Sequence, residues 1–263
     1  MQVMGILNVT PDSFSDGGLH FSLQAAIEQA DRMVEEGVDI IDIGGESTRP
    51  FAEPVSAEEE LNRVIPVIEN IRGKHSTPIS IDTSKAEVAR LALEAGANII
   101  NDISALRKDP DMLGLVQSTT VPVIIMHMKG TPGDMQVNPE YDDVVDEIKR
   151  FFEERLLWLD KNGVDINRIT IDPGIGFGKN RKHNLSIIKH LGKLKELGRP
   201  LLLAHSRKRF LGDITGRDAE DRDLPTAVVS ALALYWNIDM IRVHNVAASR
   251  DAVRVTQAIL AAE

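Results

Sequence analysis

Eight short apolar runs rich in β-branched residues, each followed by a stretch with helical spacing, limit this fold more than any other feature. The runs fall at residues 3–7, 38–43, 79–81, 99–100, 121–126, 169–171, 200–203 and 240–243. Between them, residues 22–36, 58–71, 85–94, 142–161, 184–197, 226–235 and 250–260 carry apolar side chains at helical intervals, with a shorter segment around 110–117. Parallel strands need a crossover, so strand alternating with helix demands a parallel sheet. Eight such strands in 263 residues predict an α/β chain closed into one (β/α)8 TIM barrel domain over residues 1–263, not an open doubly wound sheet. No linker or low-complexity tract divides it. Ser56 with Glu59 and Ser84 with Glu87 read as capping boxes, while Gly37 and Gly96 supply C-terminal caps.

Composition narrows the partners. The chain has no cysteine, which excludes disulfides, thiolate metal sites and a cysteine nucleophile and suits a cytoplasmic setting. No apolar run is long enough to cross a membrane, and the first residues lack the pattern of a signal peptide. A net charge of −10 argues against nucleic acid as a partner, and an anionic substrate would need a local cluster of cations.

Polar residues close every strand: Asn8, the Gly44–Arg49 run, Asp82, Asn101-Asp102, His127, Asp172, Ser206-Arg207-Lys208, and Arg242 with His244. In a barrel these ends share the face on which active sites are built. Singly, each has a plainer use. Asp82 and Asn101-Asp102 suit helix caps, His127 a loop carbonyl, and Lys208 and Arg242 solvent. Eight in one register point to a ligand site. The run Ile169-Thr170-Ile171-Asp172-Pro173-Gly174 stops a buried strand abruptly at a carboxylate. Two loops, 9–21 and 44–55, exceed ordinary βα connections and carry paired glycines, as lids do. The basic run Lys179–His183 reads as a solvated loop.

Residues 4–18, MGILNVTPDSFSDGG, and 41–50, IDIGGESTRP, resemble the two signatures of dihydropteroate synthases. Ser80–Thr83, Ile100–Ile103, Met126–Met128, Asp172–Gly174, Ser206–Lys208 and Arg242–His244 match that family in order, over nearly the whole chain. The resemblance implies condensation of (7,8-dihydropterin-6-yl)methyl diphosphate with p-aminobenzoate, giving 7,8-dihydropteroate and pyrophosphate. It implies that Asp172, Asn101 and Asp82 take the amino-pyrimidinone edge of the pterin, since a carboxylate can accept two adjacent N–H groups. Lys208 would reach the ring carbonyl and N5, and Met126 would pack on the ring.

Arg242 and His244, helped by Thr48, would hold the departing pyrophosphate, and Mg2+ would neutralise it with Asn8 as its protein ligand. p-Aminobenzoate would sit against Phe14 and Pro50, with its carboxylate near Ser206 and Arg49 closing the pocket. Asp16 would face the developing cation. Family members are commonly homodimers, and the same is expected here.

Three positions depart from the family pattern. Phe51 stands where glycine is usual, which bears on the p-aminobenzoate pocket and on any sulfonamide response. Ala204-His205 precede Ser206 in place of a glycine and an aliphatic residue, and Asn245 replaces a frequent aspartate. Two other readings share the fold. A tetrahydrofolate–corrinoid methyltransferase would use the same carboxylate–asparagine pocket but has no need of Arg242 and His244 as an anion site. A pterin-binding homologue without catalysis would not need the full set of charged strand ends.

Overall fold

The computed structural model describes residues 1–10, 18–47, 53–131, 133, 135 and 137–262, with the backbone alone for residues 18–22. Eight parallel strands carry the chain: β1 (Gln2–Asn8), β2 (Ile40–Gly44), β3 (Ile79–Asp82), β4 (Ile99–Asp102), β5 (Val123–Met126), β6 (Ile169–Asp172), β7 (Leu202–Leu203) and β8 (Met240–Val243). They pair in the order β6-β5-β4-β3-β2-β1-β8-β7, and a bridge between Ile171 and Leu201 brings β6 to β7. The sheet therefore curls into the expected barrel. Helices α1 (Gly18–Glu35), α2 (Ala57–Lys74), α3 (Ala86–Glu94), α4 (Met112–Ser118) and α5 (Val144–Lys161) return the chain between strands. In the second half α6 (Arg181–Lys189), α7 (Leu191–Lys195), α8 (Arg209–Thr215) and α9 (Asp223–Ala233) do the same, and α10 (Val246–Leu260) follows the last strand.

Strand side chains alternate between two faces, and two apolar layers result. Ile41, Ile43, Ile79, Ile81, Ile100, Val123, Ile125, Ile169, Ile171, Ile241 and Val243 face outward into the main core under the helices. Met4, Ile40, Ile99, Ile124, Leu202 and Met240 face inward and form a separate apolar plug inside the barrel. That plug fills the lower interior, so any polar chemistry must lie above it, toward the C-terminal strand ends.

Several local expectations change. Ser56 caps α2 by accepting from the Glu59 N–H at 3.1 Å, but the Glu59 carboxylate turns to Arg63 instead of closing the box. Ser84 does not cap α3. That helix starts after Lys85, and the Asp109 carboxylate accepts from the Ala86 N–H at 2.7 Å, so a neighbouring loop supplies the acceptor. The helix expected at 184–197 is two, α6 and α7, broken at His190 (ψ +23°) just before Gly192, a weak helix former. Helix α1 already begins at Gly18, inside the span expected as the first long loop. Helix α8, unmarked in the sequence reading, follows the Ser206–Lys208 turn and ends on Gly216 at φ +71°.

Glycine is demanded at Gly174 and Gly178 by this architecture, where a positive φ coincides with a backbone carbonyl in the place of a Cβ. Gly174, directly after β6, has φ +68°, and a Cβ there would lie 2.0 Å from the His127 carbonyl oxygen. Gly174→Ala combines left-handed strain with a backbone clash and should lower stability by about 2 kcal/mol or more. Urea unfolding of the variant beside the parent checks this.

Candidate active site

Two residues beyond the apolar plug, on the same strands and the same inward face, stand Asp42, Asn101, Met126 and Arg242. Asp82 lies in register with Asn101, and Asp172 with Met126, so both carboxylates join that layer. The alternation also separates neighbours. Asn101 points in, whereas the next residue, Asp102, is spent on its own loop, accepting from the Ser104 and Leu106 N–H groups at 2.7 and 2.8 Å.

Arg242 organises the layer. Its Nε donates to Asp42 at 2.5 Å and its Nη2 to Asp82 at 2.6 Å. Asn101 donates to the two Asp42 oxygens at 3.4 and 3.3 Å. Burial opposes the Arg242 charge, but Asp42 and Asp82 more than compensate and raise its pKa. Burial also pushes Asp82 up to about 7, against the pull of Arg242. Asp42 was not singled out from the sequence, because it sits inside the apolar run 38–43. Its place two residues after Ile40 was the available signal.

Asp172 ends β6 almost fully buried and accepts from the Gly174 N–H at 2.7 Å. Burial raises its pKa to about 6, while Gly174, Lys208, Arg242 and Lys179 pull the other way. Lys208 places its ammonium 4.3 Å from the centre of the Phe177 ring. Burial and then Arg242 lower its pKa to about 8. Met126, Met135 and Phe177 form a small apolar wall beside these charges. A planar polar heterocycle fits such a setting: carboxylate and amide on its edge, ammonium near its carbonyl, thioether on its face.

At the barrel mouth Ser206 and His244 are joined. The Ser206 Oγ accepts from the His244 backbone N–H at 3.0 Å and lies 2.9 Å from His244 Nδ1. Burial, with Arg207, Arg242 and Lys208, lowers the His244 pKa to about 3, so the ring is neutral near pH 7. A neutral ring holds one proton. If it is on Nε2, the ring can donate to an anion and Ser206 is committed to Nδ1; if on Nδ1, Ser206 keeps its own proton for a carboxylate. An imidazolium formed on anion binding would serve both.

Asn8 closes β1, half-buried and in register with Gly44. Among the described residues no group of three or more His, Cys, Asp or Glu could hold a metal ion. Phe14, Asp16, Thr48, Arg49, Pro50 and Phe51 lie outside the described residues. The stem of their second loop is well fixed: Lys85 bonds Glu46 and, at 2.5 Å, the buried Glu60, and Arg63 donates to the Gly45 carbonyl at 2.7 Å.

One strand-end expectation and one loop expectation are revised. His127 does not face the inner layer; its ring packs edge-on against Phe151 at 5.0 Å and its Nδ1 meets Lys179. Lys179, read as solvated, is buried, although Arg181 and Lys182 beyond it are exposed. Asn245, the departure from the family pattern, caps α10 through Oδ1 and donates to Asp223 at 3.0 Å, and Asp223 grips Arg207 at 2.6 and 2.9 Å.

The pterin binding enzyme family matches residues 4–244. A dihydropteroate synthase of Synechocystis sp. is 46% identical, the alignment covering 98% of this chain and 89% of that protein. The dihydropteroate synthase of Xanthomonas albilineans, solved with 4-aminobenzoic acid, superimposes with a TM-score of 0.94 at 49% identity, covering 100% of this chain and 94% of that one. A second structure of it, in complex with 7,8-dihydropteroate, gives 0.91 at 46% identity with the same coverage. On the matched strands, the inward polar layer and the length of the likeness, this chain belongs to the dihydropteroate synthase family of pterin-binding enzymes.

Proposed function

We infer that this chain joins p-aminobenzoate to (7,8-dihydropterin-6-yl)methyl diphosphate, forming 7,8-dihydropteroate and pyrophosphate. The observation that carries the reading is the inner layer, in which a buried carboxylate, Asp172, faces a cation pair, Lys208 and Arg242, above an apolar plug. The ligands of the Xanthomonas structures, 4-aminobenzoic acid and 7,8-dihydropteroate, are a substrate and a product of this reaction.

In this reading Asp172 accepts the two adjacent N–H groups of the pterin edge and Asn101 and Asp82 complete it, with Met126 and Phe177 against the ring. Lys208 lies near the ring carbonyl and N5. The C–O bond between the methylene and the diphosphate breaks, with the electron pair leaving on pyrophosphate. The amine nitrogen then forms the C–N bond and releases its proton to solvent. The arylamine is neutral near pH 7, so no strong base is required. Stabilising the departing anion is the main task, and it falls to Arg242 and His244, with Thr48. Ser206, Arg49, Phe14 and Pro50 would receive p-aminobenzoate, and Asp16 would face the methylene cation.

Mg2+ would supply charge neutralisation of the diphosphate, and the single amide oxygen of Asn8 fits an ion carried mostly by substrate and water. A homodimer is supported by the exposed large apolar residues of two packed helices: Leu224, Val228 and Leu232 on α9, and Val255 and Ile259 on α10. The absence of cysteine suits work in the cytoplasm.

Incubation with the dihydropterin methyl diphosphate, p-aminobenzoate and Mg2+ should yield dihydropteroate and pyrophosphate in equal amounts. Tight pterin binding without product would point to methyl transfer or another amine. Asn8→Ala should raise the Mg2+ concentration for half-maximal rate by about tenfold, roughly the loss of one 1.4 kcal/mol contact. Val228→Glu should shift the sedimentation coefficient from dimer to monomer.

A further inference from the structure

Lys179 is a charged residue that the fold takes out of solvent beside the site without a role in the reaction just described. Its side chain is 2% exposed. An ammonium has three N–H donors, and Lys179 meets three acceptors: the Phe177 carbonyl at 2.8 Å, His127 Nδ1 at 3.0 Å and the His127 carbonyl at 3.2 Å. These bonds tie the end of β5 to the loop that follows β6. The held carbonyl belongs to Phe177, whose ring lies under the Lys208 ammonium.

A tether alone would need no charge, and a buried charge is costly unless it is compensated. The compensating group is Asp172: the His127 carbonyl that Lys179 holds lies against Gly174, whose N–H donates to the Asp172 carboxylate at 2.7 Å, and the His127 N–H donates to the Asp172 carbonyl at 2.9 Å. Lys208 faces both groups, and Arg242 faces Asp172 as well. His127, held neutral by burial and by Lys179 with a pKa near 2, keeps Nδ1 as an acceptor and does not compete as a cation.

Resting on the reading that Asp172 receives the pterin edge, we propose that Lys179 is a positioning residue whose buried positive charge keeps Asp172 ionised for that edge, while its three hydrogen bonds hold the loop beneath Lys208. It acts through Asp172 and touches no reacting atom. The sign of the effect follows from the pocket. Burial places the Asp82 pKa near 7 and the Asp172 pKa near 6, so pterin affinity falls in two steps as pH drops, and the lower step, the acid midpoint used below, reports Asp172. Burial brings the Lys179 pKa to about 7, so the lysine is charged where Asp172 titrates and loses its charge above neutrality.

The test is calorimetric binding of 6-hydroxymethylpterin, which lacks the diphosphate, from about pH 5 to about pH 8. The parent is compared with Lys179→Met, Lys179→Gln and Asp172→Asn. Glutamine keeps donors for the two carbonyls without the charge, so it carries the test should the methionine variant fail to fold. Both neutral variants should move the acid midpoint up by about 0.5–1 pH unit, weakening binding about three- to tenfold near pH 6. Their curves should converge with the parent near pH 8. An unshifted midpoint, with affinity lost equally at every pH, would overturn the proposal and leave Lys179 as a tether. A parent that does not bind the pterin, or an Asp172→Asn variant that binds as tightly, would instead remove the reading of Asp172 itself.

Discussion

The contact on which the rest of this site depends is the buried guanidinium of Arg242, held between Asp42 and Asp82. Arg242 sits on β8 and its partners on β2 and β3, so the interaction spans the barrel interior past β1. Removing one partner of a buried ion pair strands the other charge, commonly at about 3–5 kcal/mol. That penalty fixes the geometry of three strand ends together. With burial raising Asp82 to about 7, the charge of the trio lies close to balance near neutral pH. Asp172 and Lys208 lie beside this trio and interact with Arg242. An array of charges set before the reaction begins is what stabilisation of a departing anion requires.

The strand and helix pattern was legible because apolar periodicity is a local property, and the barrel followed from counting the alternations. The candidate site was legible in outline for the same reason: a strand that stops at Asp172-Pro173-Gly174 must leave its carboxylate at the strand end. Period-two arithmetic carried further than strand-end position. It separates Asn101 from Asp102 and would have found Asp42, two residues after Ile40. What stayed hidden depended on contacts between distant segments. Asp109 displaced Ser84 as the cap of α3, and the buried state of Lys179 comes from acceptors on His127, 52 residues away.

The second long loop leaves from a stem built for stiffness. Gly45 could not carry a side chain without meeting Val64 and Glu60, its carbonyl is held by Arg63, and Glu46 is tied through Lys85 to the buried Glu60. A fixed stem shields the barrel from changes further along the chain. The Arg207–Asp223–Asn245 network plays the matching part on the opposite side, setting the turn that presents Ser206 and Lys208.

The most direct test of this account compares two properties of Arg242→Ala. One is the single-turnover rate of pyrophosphate departure from the dihydropterin methyl diphosphate; the other is affinity for a pterin lacking the diphosphate. The account predicts a rate loss at least about a hundredfold greater than the loss of affinity that stranding Asp42 and Asp82 brings. Equal losses in both would contradict it, and would make the clamp with Asp42 and Asp82 a support of the pocket alone.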